Sequence, residues 1–242
     1  MDKKPDWLKV RYNQEAVSED AEIMRDMGLN TVCKEANCPN LGECYKKHTA
    51  TFMILGNICT RNCKFCNVTT GKPLPPDRNE PENVAKAAKK LGLRHVVLTC
   101  STRDDLADGG AEHFAKTVNA IRALCPGATV ETLISDMKMN TQALDKIIEV
   151  HPDVVNHNVE TVKELQKQVR PQADYERSLN VLRYFKEKDP TLLTKTGFMV
   201  GLGETEEQIC ALLDDILSTG CDILTIGQYL QPTKEHFPLA RY

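Results

Sequence analysis

Three cysteines fall within eight residues, Cys59-Thr-Arg-Asn-Cys63-Lys-Phe-Cys66, directly after the apolar run Thr51-Phe-Met-Ile-Leu-Gly56. A strand ending at that point delivers three soft ligands to one place at a C-x3-C-x2-C spacing. Thiolates at this density suit zinc or an iron–sulfur cluster. A closed structural zinc site needs four ligands, usually as two paired knuckles, and this loop supplies three. A metal position without a protein ligand can take a substrate, so the arrangement points to catalysis rather than to structure. Three reduced core thiols are a poor alternative, because a short loop carrying Lys, Arg and Asn cannot bury them.

A second triplet precedes the first: Cys33-Lys-Glu-Ala-Asn-Cys38-Pro-Asn-Leu-Gly-Glu-Cys44, at a C-x4-C-x5-C spacing, with Pro39 and Gly42 forcing turns. A second metal site is the natural inference. Around it, residues 1–49 read as a polar extension in which Trp7 and Leu8 are isolated apolar anchors and Ser18 caps a short helix over 19–27.

From residue 50 to 242 the pattern repeats as strand, polar loop and amphipathic helix. Strands are predicted at 51–55, 95–99, 129–134, 153–157, 193–200 and 222–226, and helices at 81–91, 111–124, around Leu144, Ile147 and Ile148 with Asn140 as cap, 159–168, 175–187 and around Ile209, Leu212, Leu213 and Ile216. Pro81 opens the first helix, and Gly92 and Gly220 stand where helices stop. Successive βα units imply a parallel sheet with right-handed crossovers. The fold class is therefore α/β, a partial (β/α)6 barrel with an N-terminal cysteine-bearing extension, and 242 residues are enough for one such domain.

Ten cysteines would suit disulfides in a secreted protein, yet Met-Asp-Lys-Lys-Pro-Asp-Trp at the N-terminus lacks an apolar signal region, so a reducing cytoplasm is expected. The apolar runs are strand-sized, far short of the roughly 18 residues of a membrane span. Net charge is −3 with no Lys/Arg block longer than a pair, which argues against nucleic acid as a partner.

Barrels of this kind collect their chemistry at the carboxyl ends of the strands. The second strand is followed by Ser101-Thr-Arg-Asp-Asp-Leu-Ala-Asp-Gly-Gly110, the fourth by a segment holding His157, Asn158 and Glu160, and the fifth by Gly201-Leu-Gly203-Glu204. Two readings stand for Gly109 and Gly110: backbone open to a ligand, or a turn capped by Asp108. Two stand for Glu160: a side chain projecting with Asn158 into the barrel mouth to hold a ribose or substrate, or one that only favours a helix N-terminus. His157 reads as an ordinary strand-end histidine, and Cys100, Cys125, Cys210 and Cys221 as small core residues.

The spacing of Cys59, Cys63 and Cys66, with Phe65 before the last thiol, resembles the cluster loop of the radical S-adenosylmethionine (SAM) enzymes. Together with the Cys33/Cys38/Cys44 triplet, Thr102-Arg-Asp-Asp-Leu-Ala-Asp-Gly-Gly-Ala111, Val155-Asn-His-Asn-Val-Glu-Thr161 and Thr196-Gly-Phe-Met-Val-Gly-Leu-Gly-Glu204, it is similar over nearly the whole chain to the lipoyl synthase family. The resemblance implies two 4Fe-4S clusters. One, on Cys59, Cys63 and Cys66, binds the amino and carboxylate groups of SAM at its open iron; the auxiliary one, on Cys33, Cys38 and Cys44, is consumed as the sulfur source. It also places Gly109 and Gly110 near the methionine part of SAM, and Gly201 and Gly203 near the adenine. The implied reaction inserts sulfur at C6 and C8 of an octanoyl chain carried by a lipoyl carrier domain. A 5′-deoxyadenosyl radical abstracts each hydrogen, with electrons from a donor such as ferredoxin or flavodoxin. An unactivated C–H bond resists acid–base chemistry, so a cofactor must do this step. A biotin synthase is the nearest alternative, disfavoured by the upstream triplet, and a ferredoxin-like carrier or zinc module would need no barrel of polar strand-end loops. The family carries an Arg-Ser-Ser-Tyr motif near the C-terminus whose serine ligates the auxiliary cluster. This chain reads Leu239-Ala-Arg-Tyr242 there, and a fragment lacking that segment is expected.

Overall fold

The computed structural model of the chain describes residues 5–8, 23–25, 27–32 and 49–242; Ser18, Cys33, Cys38 and Cys44 lie outside the described residues. In chain order the elements are a 3-10 turn (Asp6–Leu8), β1 (Asn30–Thr31), β2 (Thr49–Ile54), β3 (Ile58–Cys59), β4 (Thr69–Thr70), α1 (Glu80–Lys90), β5 (His95–Cys100), α2 (Ala111–Leu124), β6 (Thr129–Leu133), a 3-10 turn (Met137–Met139), α3 (Thr141–Glu149), β7 (Val154–Asn156), α4 (Gln166–Val169), α5 (Tyr175–Lys188), β8 (Leu193–Val200), α6 (Glu206–Leu217) and β9 (Ile223–Gln228).

The six strands expected from the sequence, β2, β5, β6, β7, β8 and β9, lie side by side in that order and pair in parallel. The sheet does not close: β9 forms one edge and β1 the other, so the architecture is a partial (β/α)6 barrel. β1 comes from the N-terminal extension and pairs antiparallel with β2, Asn30 opposite Met53.

Alternation within the strands decides which face meets the helices. On β2 and β5, Ala50, Phe52, Ile54, Val96 and Leu98 pack in one core with Val84 and Ala88 of α1, Phe114, Val118 and Ile121 of α2, and Leu144 and Ile147 of α3. Burying each of these larger apolar side chains contributes about 1.5–3 kcal/mol, so this layer fixes where each strand ends. Local signals agree with it. Pro81 sits in the first turn of α1, where a missing N–H costs nothing, and the Asn140 side chain accepts from Ala143 N to start α3.

Two expectations need correction. Instead of a helix over 159–168, the structure has only α4, four residues long. Glu160 N donates to Gly197 O at 3.0 Å and Glu160 O accepts from Met199 N at 2.9 Å, so Glu160 pairs with β8 as a strand residue would. The cause is a mismatch in length: β7 has three residues against eight in β8, and the exposed ladder of β8 takes its partners from the segment that follows β7. Cys210, expected in the core, is exposed on α6. It falls off the stripe of Leu212 and Ile216, which the 3.6-residue period turns inward.

Candidate functional site

The cysteine loop follows β2, where Leu55 leaves the strand with φ of 66°, and it is tied down on several sides. Cys59 lies on β3, opposite Thr70 of β4. Thr60 N and Oγ1 both donate to Thr102 O, at 3.0 and 2.9 Å, in the loop after β5. Lys64 N donates to Val169 O at 2.8 Å at the end of α4. From the C-terminal segment, Phe237 N donates to Lys64 O at 2.7 Å and His236 Nε2 to Cys66 O at 3.2 Å. The loop is thus gripped by β4, two strand-end connections and a strap.

Cys59, Cys63 and Cys66 line one cavity of about 420 Å³, together with Thr99, Ser101, His157, Asn158, Glu160, Arg170, Met199 and Tyr229. The same lining carries buried polar atoms with no protein partner: His157 Nε2, Asn158 Oδ1 and Arg170 Nε. Buried polar groups are normally paired, so three orphans in one cavity lining mark a place for a polar ligand. His157 is therefore only half satisfied. Its Nδ1 lies 3.0 Å from Ile134 O, which can only accept, so that nitrogen carries the hydrogen and Nε2 is left as a free acceptor. Burial, helped by the Arg170 charge, pushes the ring down to about 4, which keeps it neutral near pH 7.

Arg170 is anchored by its Nη1, which donates to Asn158 O and Val159 O at 3.2 and 3.0 Å. Its charge bears on both Cys63 and Glu160. Burial raises each of these two groups, and Arg170 opposes the rise in both. Cys66, without that help, is pushed by burial up to about 11. Glu160 occupies its position in the left-handed region, φ 71°, uncommon for a residue with a side chain and of the kind that concentrates at functional sites.

The glycines behave differently from the cysteines. Gly109 and Gly110 do not line this cavity. Gly109 N donates to Leu106 O, and Gly110 N to Asp108 Oδ1 at 3.0 Å, while Glu112 N donates to the other Asp108 oxygen at 2.9 Å. Asp108 thus opens α2, and Gly110 lets that turn lie directly against the Leu55 side chain. Gly201 and Gly203 also sit outside the cavity lining. Gly201 N donates to Glu204 Oε1 at 2.6 Å, and its carbonyl accepts from Ala240 N at 2.8 Å in the C-terminal segment.

A family profile described as Radical SAM superfamily matches residues 53–216. Curated lipoyl synthases from Caldanaerobacter subterraneus subsp. tengcongensis and Rubrobacter xylanophilus are each 56% identical over 240 residues, covering 99% of this chain and 84% and 75% of theirs. The chain belongs to the lipoyl synthase family of radical SAM enzymes. Among solved structures it resembles HydG, a maturase of the [FeFe]-hydrogenase, with a TM-score of 0.64 at 14% identity, covering 94% of this chain and 58% of that one. It also resembles Streptococcus suis SuiB bound to S-adenosylmethionine, at 0.62 and 16%, covering 93% and 53%. At these identities the likeness concerns the fold alone.

Family membership brings SAM and a 4Fe-4S cluster, and the cavity suits both. One wall offers three thiols, and Arg61 N donates to Cys59 Sγ at 3.4 Å, as an N–H to a cluster sulfur would. Among the described residues no three His, Cys, Asp or Glu side chains converge on a point as one ion would require. A cluster takes each thiolate on a separate iron and makes no such demand. The unpaired atoms of His157, Asn158 and Arg170 supply the hydrogen-bonding wall that a zwitterionic nucleoside needs. Among the described residues, no helix is long and apolar enough to cross a membrane.

Arg170 carries no pattern in the sequence and follows the four-residue α4. The free acceptor of His157 depends on where Ile134 falls in the fold, which local sequence does not show. Tyr229 has no local signal either; its hydroxyl donates to Phe237 O at 2.8 Å and so anchors the strap beside the cavity.

Proposed function

We propose that Cys59, Cys63 and Cys66 hold the SAM-binding 4Fe-4S cluster, that Cys33, Cys38 and Cys44 hold a sacrificial auxiliary 4Fe-4S cluster, and that the enzyme inserts sulfur at C6 and C8 of an octanoyl chain on a lipoyl carrier domain. The observation that carries this reading is the meeting of three thiols and three unpaired buried polar atoms across one cavity. When bound, the reduced cluster and SAM supply the radical that removes hydrogen from an unactivated carbon. The chain's own residues bind and orient. Asn158 and Glu160 take the ribose or the substrate, Arg170 offers a cation beside Cys63 and Glu160, and neutral His157 presents an acceptor. Met53, Phe65, Leu133, Ile134 and Met199 add apolar lining, which would limit water around the bound groups.

A ferredoxin or flavodoxin serves as electron donor in this reading, and the protein works in the cytoplasm on octanoylated carrier domains. The decisive test is incubation of anaerobically reconstituted protein with SAM, reductant and an octanoylated carrier. Mass spectrometry should find a carrier that has gained two sulfur atoms and 5′-deoxyadenosine in the supernatant. Iron and sulfide in the protein with no 5′-deoxyadenosine would leave an electron carrier and defeat the proposal.

A further inference from the structure

We propose that Arg61 is a positioning residue which locks the cysteine loop in cluster-ready geometry before any metal arrives. The inference rests on the cluster assignment above. Arg61 lies between the first two thiols of the loop, and only 3% of its side chain is exposed. Its Nε and Nη2 donate to Asp104 at 2.7 and 2.9 Å, and its Nη1 and Nη2 to Asp136 at 2.9 and 2.5 Å. Two carboxylates gripping one planar guanidinium fix its orientation as well as its place, which a lysine ammonium cannot reproduce. The other end of the same residue reaches the metal site: Arg61 N donates to Cys59 Sγ, and Arg61 O accepts from Thr70 Oγ1 at 3.1 Å. Side chain and sulfur are therefore joined through a single residue.

The partner in the loop that follows β6 is held just as firmly. Asp136 is fully buried, accepts from Lys138 N at 3.0 Å, and receives a second guanidinium from Arg177 at 3.3 Å. It opens a turn in which Met137, Lys138 and Met139 all have positive φ, at 43°, 51° and 58°. Side-chain-bearing residues rarely adopt that conformation, and never cheaply in succession. Met139 N to Asp136 O at 2.8 Å and Asn140 N to Met137 O at 3.0 Å keep the turn wound. Such a turn, aimed at a buried guanidinium, is a backbone held away from its relaxed state by its surroundings. Lys138 Nζ also lies 3.9 Å from Asp104 Oδ1, so three cations meet the two carboxylates around Arg61.

The test compares wild type with Arg61→Lys, Asp136→Asn and the less buried Asp104→Asn, each reconstituted anaerobically. Three readouts are taken: iron and sulfide per chain after gel filtration, the electron paramagnetic resonance spectrum of the reduced cluster with and without SAM, and the thermal midpoint of the metal-free protein. Outer-shell partners of metal ligands commonly matter by about 10-fold or more in metal affinity. A loss of roughly that size is expected for Arg61→Lys and Asp136→Asn, with a weakened response of the spectrum to SAM; their metal-free midpoints should fall, since a buried partner is lost, but the iron loss should exceed what the fall in midpoint across the three variants accounts for. Full iron with unchanged spectra in Arg61→Lys would overturn the inference. So would iron loss that simply tracks a falling metal-free midpoint across the three variants, which would make the network ordinary structure. If Arg61→Lys fails to fold, Asp104→Asn carries the same comparison. A wild-type chain that takes up no iron would refute the cluster assignment itself, an outcome visible before any variant is made.

Discussion

Lys195 Nζ of β8 lies 2.9 Å from Glu131 Oε1 of β6, reaching across β7 to make an ion pair in which the carboxylate is 5% exposed. Asn156 Nδ2 adds a hydrogen bond at 2.8 Å, and His95 Nε2 approaches at 3.5 Å. Burial alone would raise the Glu131 carboxyl. The hydrogen bonds from His95, Asn156 and Lys195 outweigh it and hold the group down to about 2. A folded pKa below the unfolded one, near 4.3, gives stability that is complete above the unfolded value and lost as pH falls toward the folded value. Glu131→Gln should therefore cost about 2 kcal/mol at pH 7 and less at pH 3, measured by urea unfolding. An equal cost at both pH values would show that the pair is not the source.

Replacing Cys59, Cys63 or Cys66 by Ala should abolish reductive SAM cleavage, because a cluster short of one thiolate is lost or distorted. The measurement is 5′-deoxyadenosine by liquid chromatography. Its continued production in any of the three variants would remove them from the proposed site.

Cys33→Ala, Cys38→Ala and Cys44→Ala should act otherwise, leaving SAM cleavage in place while sulfur insertion into the octanoyl chain disappears. Iron should fall by about half if one of two 4Fe-4S clusters is lost. Loss of both activities in folded protein would contradict the division of labour between the triplets.

Gly110→Ala and Gly92→Ala offer a controlled pair for the packing behind β2. Both glycines have positive φ, 95° and 59°, but a Cβ at Gly92 meets open space whereas one at Gly110 runs into Leu55. Gly92→Ala should cost about 1 kcal/mol, the conformational penalty alone. Gly110→Ala should cost roughly 3 kcal/mol and loosen the residue from which the cysteine loop departs. Equal losses in the two variants would mean that the Leu55 contact relaxes freely.

Much of this molecule is legible without coordinates, for identifiable reasons. Alternation on β5 and the 3.6-residue stripe of α2 are local consequences of burial, and the cysteine spacing by itself narrows the loop to zinc or an iron–sulfur cluster. Glu160 was harder to read. Its backbone obeys the unmatched ladder of β8, a partner almost forty residues away, and local propensity carries no trace of that demand. Asp136 and Arg61 are 75 residues apart in sequence, and nothing in Ser135-Asp-Met-Lys-Met139 signals a left-handed turn without glycine. Gly109 and Gly110 fit the glycine pattern of a ligand loop, and the sequence does not show that Gly110 also packs on Leu55 or that Asp108 accepts from Gly110 N and Glu112 N.

The strap over the cysteine loop has a consequence for native-state hydrogen exchange. Lys64 N is protected by Val169 O, Phe237 N by Lys64 O, and Ala240 N by Gly201 O. Opening the loop must break the first two bonds together, and lifting the strap must break the last two. These amides therefore belong to one cooperative unit, and the residues proposed to ligate the cluster cannot fray alone. A cluster seated there would slow exchange as far away as Ala240, so an amide in the C-terminal segment becomes a reporter of metal occupancy in a loop encoded about 175 residues earlier.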